Sequence, residues 1–194
     1  VTMYEAHDQP GGMLYVGIPE YRLPKQELAR ELSVIDKMGI KVHYHSRVGR
    51  DIHIRDLHNA HDALFIATGA HGGRNLGIEN EDAKGVISGL DFLRAVAKNE
   101  PVETGKIVFV IGGGNVAVDI ALTAKRLGAK EIHMACLESW REMPAHKWEI
   151  DQATEEGVII HTSWGPKRFI LSDGAVTGIE FKRCTSVFDD KKRF

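Results

Sequence analysis

Short apolar runs alternate with stretches of helical periodicity along most of this chain, the pattern of α/β units built on a parallel sheet. Runs at 1–5 (VTMYE), 40–45 (IKVHYH) and 63–67 (ALFIA) predict strands. Between the first two, 25–38 (KQELARELSVIDKM) predicts a helix entered after Pro24 and closed by Gly39. A second block begins with a strand at 106–111 (KIVFVI), a helix at 115–127 ended by Gly128, and a strand at 131–136 (EIHMAC). A further helix is expected over 145–156, between Pro144 and Gly157. Beyond it VIIHTSW (158–164), KRFILSD (167–173) and AVTGIEFKRCTSVF (175–188) alternate with period two around a Ser172-Asp173-Gly174 turn, so all three are expected to be antiparallel strands. The polar stretch 80–104, with one short helix before Pro101, predicts a junction between domains at 1–100 and 101–194.

Composition narrows the partners rather than the fold. A formal net charge of −2 over 194 residues gives no electrostatic case for nucleic acid or an anionic membrane surface. No apolar run reaches the ~18 residues that a bilayer-spanning helix needs. Cys136 and Cys184 are far apart and form no CxxC, which suggests neither a metal knot nor a local redox pair and fits a reducing, cytoplasmic setting. His43 and His45 share a strand face, but without a third ligand nearby they predict a partly exposed face rather than a metal site.

The strongest chemical signal is VFVIGGGNVAVDIA. An apolar strand runs into Gly112-Gly113-Gly114 and then into a helix, giving G-x-G-x-x-A with Ala117 in the last place. The first glycine permits the tight turn, and the second removes a side chain where a pyrophosphate meets backbone. The helix start beyond offers free N–H groups and a partial positive charge. A glycine turn that only packs a helix on a sheet is the plainer alternative. The strand–turn–helix–strand context favours the nucleotide, as does Glu138 ending the next strand roughly 20 residues on. Gly112, Gly113, Gly114, Asn115, Val116, Ala117, Glu138, Ser139 and Arg141 are therefore the expected contacts of a nicotinamide nucleotide.

Two other features look like part of a second such site. Glu5 ends the first strand just before Gly11-Gly12, and 63–67 runs into Thr68-Gly69. Taken with GGMLYVGIPEYRLPK, HDALFIATGA, GVISGLDFLR, VIGGGNVAVD and REMPAH, in that order, the chain resembles the small (β) subunit of bacterial glutamate synthase and its relatives. The reductase part of dihydropyrimidine dehydrogenase is one of these.

The resemblance implies two Rossmann-like dinucleotide-binding domains, one for FAD and one for NADH or NADPH. Electrons would pass on to iron–sulfur clusters outside this chain and to a large catalytic subunit or iron–sulfur partner. It implies that Glu5 holds the adenosine ribose of FAD, and that Gly11, Gly12, Thr68 and Gly69 lie against FAD. It also implies Asp119 near the nicotinamide, and an interior fragment whose first strand and phosphate loop precede Val1 and whose return strand follows Phe194. Hydride transfer from nicotinamide C4 to flavin N5 needs no protein acid or base, so no catalytic residue is expected. The rival from another class is a nicotinamide-binding module that holds no flavin.

Close family members carry two arginines where this chain has Leu137 and Glu138. A carboxylate there accepts from both ribose hydroxyls and repels a 2′-phosphate, which favours NADH, whereas Ala117 and Arg141 argue for NADPH.

Overall fold

The computed structural model describes residues 1–189, which form two compact units: Val1–Gly72 with Ala97–Asn99, and Gly73–Val96 with Glu100 onward. The last five residues of the expected second domain lie outside the described residues.

In the first unit β1 (Thr2–Tyr4) pairs in parallel with β2 (Lys41–His43). Their crossover holds α1 (Gly12–Val16) and α2 (Lys25–Lys37), and α3 (Ile54–Ala60) follows β2. Gly11, at φ +111°, begins α1, and a Cβ on it would lie 3.2 Å from both Leu28 and Tyr15. A glycine there lets α1 close onto α2. Pro24 precedes α2, and the carboxylate of Glu20 accepts the Lys25 N–H at 3.1 Å, satisfying a donor that the helix leaves open.

Two expectations fail in this unit. Residues 63–67 form no strand, and Phe65 and Ile66 are 94% and 68% exposed. A strand exists only by its ladder, and the apolar run finds no partner among the described residues. The second failure is the histidine pair: β2 stops at His43, and His45 turns away at φ +53°, so the two do not share a strand face. His43 instead stacks on Tyr4 at 5.1 Å.

Hydrogen exchange should register the first difference. Amides of 64–67 are expected to exchange at least about a hundredfold faster than those of Val108 and Val110, which face β4 across the parallel ladder. Equal protection would show that 63–67 is paired in solution.

Near the start of the second unit, 79–84 bonds to the edges of a hairpin through Phe169 N–H to Glu79 O (3.1 Å) and Val176 N–H to Lys84 O (2.9 Å). Then α4 (Gly89–Ala97) sends Phe92 and Leu93 into the core. These contacts explain why 73–96 belongs to this unit, ahead of the boundary at 100 that the sequence suggests.

A three-stranded parallel sheet follows, ordered β3 (Ile107–Ile111), β4 (Glu131–Ala135), β5 (Ile159–His161). Between β3 and β4 runs α5 (Asn115–Arg126), and between β4 and β5 runs α6 (Lys147–Glu155). Small residues on α5 let it lie close to the sheet, and Val118, Leu122 and Met134 are fully buried. Each contributes roughly 1.5–3 kcal/mol of burial free energy.

The hairpin is β6 (Trp164–Ser172) with β7 (Ala175–Arg183). Asp173 (φ +52°) and Gly174 (φ +76°) form its two-residue turn, in which both corner residues take the left-handed conformation. The VIIHTSW segment differs from expectation. Its first part becomes β5, parallel to β4, and only Trp164 joins the hairpin. The reason is the α6 crossover, which returns the chain to the same sheet edge in the same direction.

Candidate functional site

The glycine turn sits where β3 meets α5. Gly112 takes φ +139°, where a side chain would be strained, and donates its N–H to Ala135 O at 2.8 Å. That bond ties the turn to the end of β4. A Cβ on Gly112 would sit 3.4 Å from Ala117 Cβ, so the small residue at 117 lets the helix start approach the turn.

Gly113 has no room for a side chain. A Cβ there would lie 2.9 Å from Cys136 Cβ, 3.2 Å from Cys136 Sγ and 3.1 Å from Glu138 Oε2. The Glu138 carboxylate therefore stands directly beside the glycine turn. Gly114 precedes α5 in an extended conformation without a side-chain cap. Its carbonyl accepts from Ala117 and Val118, which leaves the Asn115 and Val116 amides ahead of them without an intrahelical acceptor. An uncapped helix start aims these amides and a partial positive charge at whatever anion lies above the turn.

The loop after β4 is fastened on three sides. Glu138 O accepts from Ser163 N–H at 2.8 Å. Ala145 N–H donates to Gly113 O at 3.1 Å, and His146 N–H donates to Asn115 Oδ1 at 3.1 Å. Asn115 thus spends its side-chain oxygen on holding the Pro144–His146 segment over the start of α5. Between these anchors Ser139–Glu142 forms a β-turn closed by Glu142 N–H to Ser139 O at 2.9 Å. Ser139 Oγ and N–H both donate to the Glu142 carboxylate, which holds that carboxyl below its ordinary range. Arg141 is exposed at a turn corner and makes no ion pair among the described residues.

Behind Gly113, the Cys136 thiol is buried and pushed up to about 11, first by desolvation and then by the Glu138 charge. It stays protonated and packs as an apolar side chain. Asp119 is buried on α5 one turn after Asn115.

The sequence residues assigned to FAD are placed differently. Glu5 Oε1 accepts the His7 N–H at 2.8 Å, so half of that carboxylate serves its own loop. Gly11 and Gly12 start α1, and Thr68 and Gly69 lie in an exposed, irregular stretch. Of the nine residues expected to hold the nicotinamide nucleotide, Gly112–Ala117 and Glu138 meet where β3 enters α5, and Ser139 and Arg141 lie in the separate β-turn that follows, whereas these five occupy two separate segments of the first unit.

Periodicity reading missed the Pro144–His146 strap. REMPAH marks the segment, but its bonds to Gly113 and Asn115 are long-range. It also missed a row of rings on the sheet face away from α5, where His133 lies between Phe109 (4.5 Å) and His161 (5.1 Å). His133 Nδ1 is 2.9 Å from His161 Nε2, and its Nε2 is 2.7 Å from Glu131. No group of three or more potential metal ligands occurs among the described residues. No described helix is long and apolar enough to cross a membrane.

A family profile described as pyridine nucleotide-disulphide oxidoreductase matches residues 11–189. The chain is 42% identical over 186 residues to the NADP(+)-dependent formate dehydrogenase subunit beta of Moorella thermoacetica, covering 94% of this chain and 26% of that protein. It is 42% identical over 188 residues to the NADPH-Fe(3+) oxidoreductase subunit beta of Geobacter sulfurreducens, covering 94% and 28%. With the glutamate synthase (NADPH) small chain of Escherichia coli the identity is 34% over 194 residues, covering 94% and 41%. The chain therefore spans about a quarter to two-fifths of the length of these relatives. FprA from Mycobacterium tuberculosis, in a mutant form, has the same fold at TM-score 0.83 and 18% identity over 99% of this chain and 58% of that one.

Proposed function

Since the chain belongs to the pyridine nucleotide-disulphide oxidoreductase family, we propose that its second unit binds a nicotinamide nucleotide and presents it to flavin in a longer NAD(P)H-dependent reductase. The observation that carries this reading is the turn at Gly112–Gly114. It has no space for a side chain at Gly113, opens onto the uncapped start of α5, and has a carboxylate beside it at the tip of the neighbouring strand.

In this reading the Asn115 and Val116 amides bind the pyrophosphate, and Glu138 accepts from the ribose hydroxyls. The Pro144–His146 strap, held by Gly113 O and Asn115 Oδ1, keeps the turn in shape. The bound nicotinamide supplies the hydride. The protein's part is alignment, and no side chain on this chain need gain or lose a proton. The family implies FAD as well, and in this reading the first unit supplies only part of its cradle.

We further propose, from the sequence motifs that resemble the glutamate synthase small subunit, that electrons pass to iron–sulfur clusters and a catalytic partner subunit outside this chain, in a cytoplasmic setting; the relative's name as a small chain supports the partner subunit alone. For the choice of nucleotide, the position of Glu138 supports NADH. The names of the relatives at 42% identity support the opposite reading, in which Arg141 takes a 2′-phosphate.

The test is calorimetric titration of the chain with NADH beside a Gly113→Ala variant. The added methyl meets Cys136 Cβ at 2.9 Å, a contact that side chains cannot relieve by rotating, so the turn must shift. Binding should weaken at least about tenfold while the circular dichroism spectrum is kept. A variant that binds as the parent does would remove Gly113 from the site.

A further inference from the structure

The turn after Glu138 has a feature that the proposed contacts leave unused. Trp140 and Arg141 occupy the two corner positions of the Ser139–Glu142 β-turn, from which side chains project outward. The indole of Trp140 is 52% exposed and makes no ring contact or hydrogen bond among the described residues. Its backbone, by contrast, is held tightly. The turn bond, the Ser139 N–H and Oγ bonds to Glu142, and the Glu138 carbonyl bond to Ser163 all fix it within two residues.

A large apolar ring shown to solvent on a rigid turn loses little conformational freedom when something covers it. What lies in front of it follows from the nucleotide geometry. With the pyrophosphate on the start of α5 and the ribose at the acid ending β4, the adenosine end lies over the tip of β4. Trp140 stands two residues beyond that acid.

We propose that Trp140 is the adenine platform of this site, stacking its indole on the base. The assignment rests on the nucleotide-binding reading above. It makes the affinity of the site depend on the adenosine half of the ligand, because stacking recognises a flat heteroaromatic ring and not the nicotinamide chemistry. Trp148, 59% exposed on the first turn of α6, is the natural control, since its ring lies parallel to His146 at 6.3 Å and already has a neighbour.

The experiment titrates the chain with NADH, ADP-ribose and reduced nicotinamide mononucleotide, following indole quenching and energy transfer from indole to bound NADH. Trp140→Leu should weaken NADH and ADP-ribose by the same factor, about tenfold, in the range of aromatic–base stacking. Trp140→Phe should stay within about threefold, and Trp148→Leu should match the parent. Trp140 is exposed, so its truncation should leave the thermal midpoint unchanged. The platform is overturned if Trp140→Leu binds both adenine-containing ligands as the parent does, or if it weakens the mononucleotide equally. If the parent chain binds none of the three, the nucleotide reading itself falls, and that result is distinct from the other two.

Discussion

Purified by itself, the 194-residue chain should emerge from gel filtration colourless, with no stoichiometric flavin. The expectation comes from what the first unit offers an FAD pyrophosphate. Its sheet has two strands of three residues each, β1 and β2. The start of α2, the longest helix of that unit, is already occupied, because the Lys25 N–H donates to the Glu20 carboxylate and an anion there would meet like charge. Glu5 gives one oxygen to the His7 amide. Thr68 and Gly69, which the sequence would set against the cofactor, follow an apolar run that pairs with nothing among the described residues. A flavin held only by such a frame would lose most of the 70–90% enclosure that cofactor sites provide. The measurement is visible absorbance of the protein peak. A yellow monomer carrying one flavin per chain would refute this account of the first unit. It would also discard the reading of the chain as a nicotinamide-binding module without flavin.

The contrast between the two units also shows what could be read from residues alone. The Gly112–Gly114 turn, α5 and β4 were legible because their causes are local. A helix of small and apolar residues at 3.6 spacing and a turn that only glycine can make are written in consecutive positions. Residues 63–67 carry an equally strong strand signal, yet a strand needs a neighbour, and neighbour availability is not encoded in ALFIA. Direction was hidden for a similar reason. VIIHTSW alternates as an antiparallel strand would, but alternation reports which face is buried and not which way the chain runs. The α6 crossover decides that. The strap from Pro144 to His146 and the His133–His161 contact join positions about thirty residues apart, beyond any window of periodicity. Trp140 shows the opposite case. It was plainly visible in the sequence as an aromatic residue, and only the turn geometry gives it a direction.

Reversing the charge at position 138 should reset the choice between nicotinamide nucleotides. Glu138 Oε2 lies 3.1 Å from where a Gly113 side chain would begin, so its charge stands at the edge of the turn that receives the pyrophosphate. A 2′-phosphate on the adjoining ribose would face it at ~4 Å, at a cost of about 4 kcal/mol per unit charge for an effective dielectric near ~20. Glu138 is partly exposed, and screening by water and salt roughly halves that figure. The remaining ~2 kcal/mol corresponds to about a thirtyfold bias toward NADH. Glu138→Gln keeps the shape and removes the charge, so it should raise the NADPH:NADH affinity ratio by about that factor. Glu138→Arg adds attraction to the lost repulsion and should move the ratio further in the same direction. The effect should shrink as salt is raised, as a charge–charge contact must. Titrating both reduced nucleotides against the parent and the two variants decides the matter. A ratio that neither substitution moves would show that Glu138 points away from the ribose. In that event, loss of NADPH affinity in Arg141→Ala would put discrimination on the arginine at the turn corner.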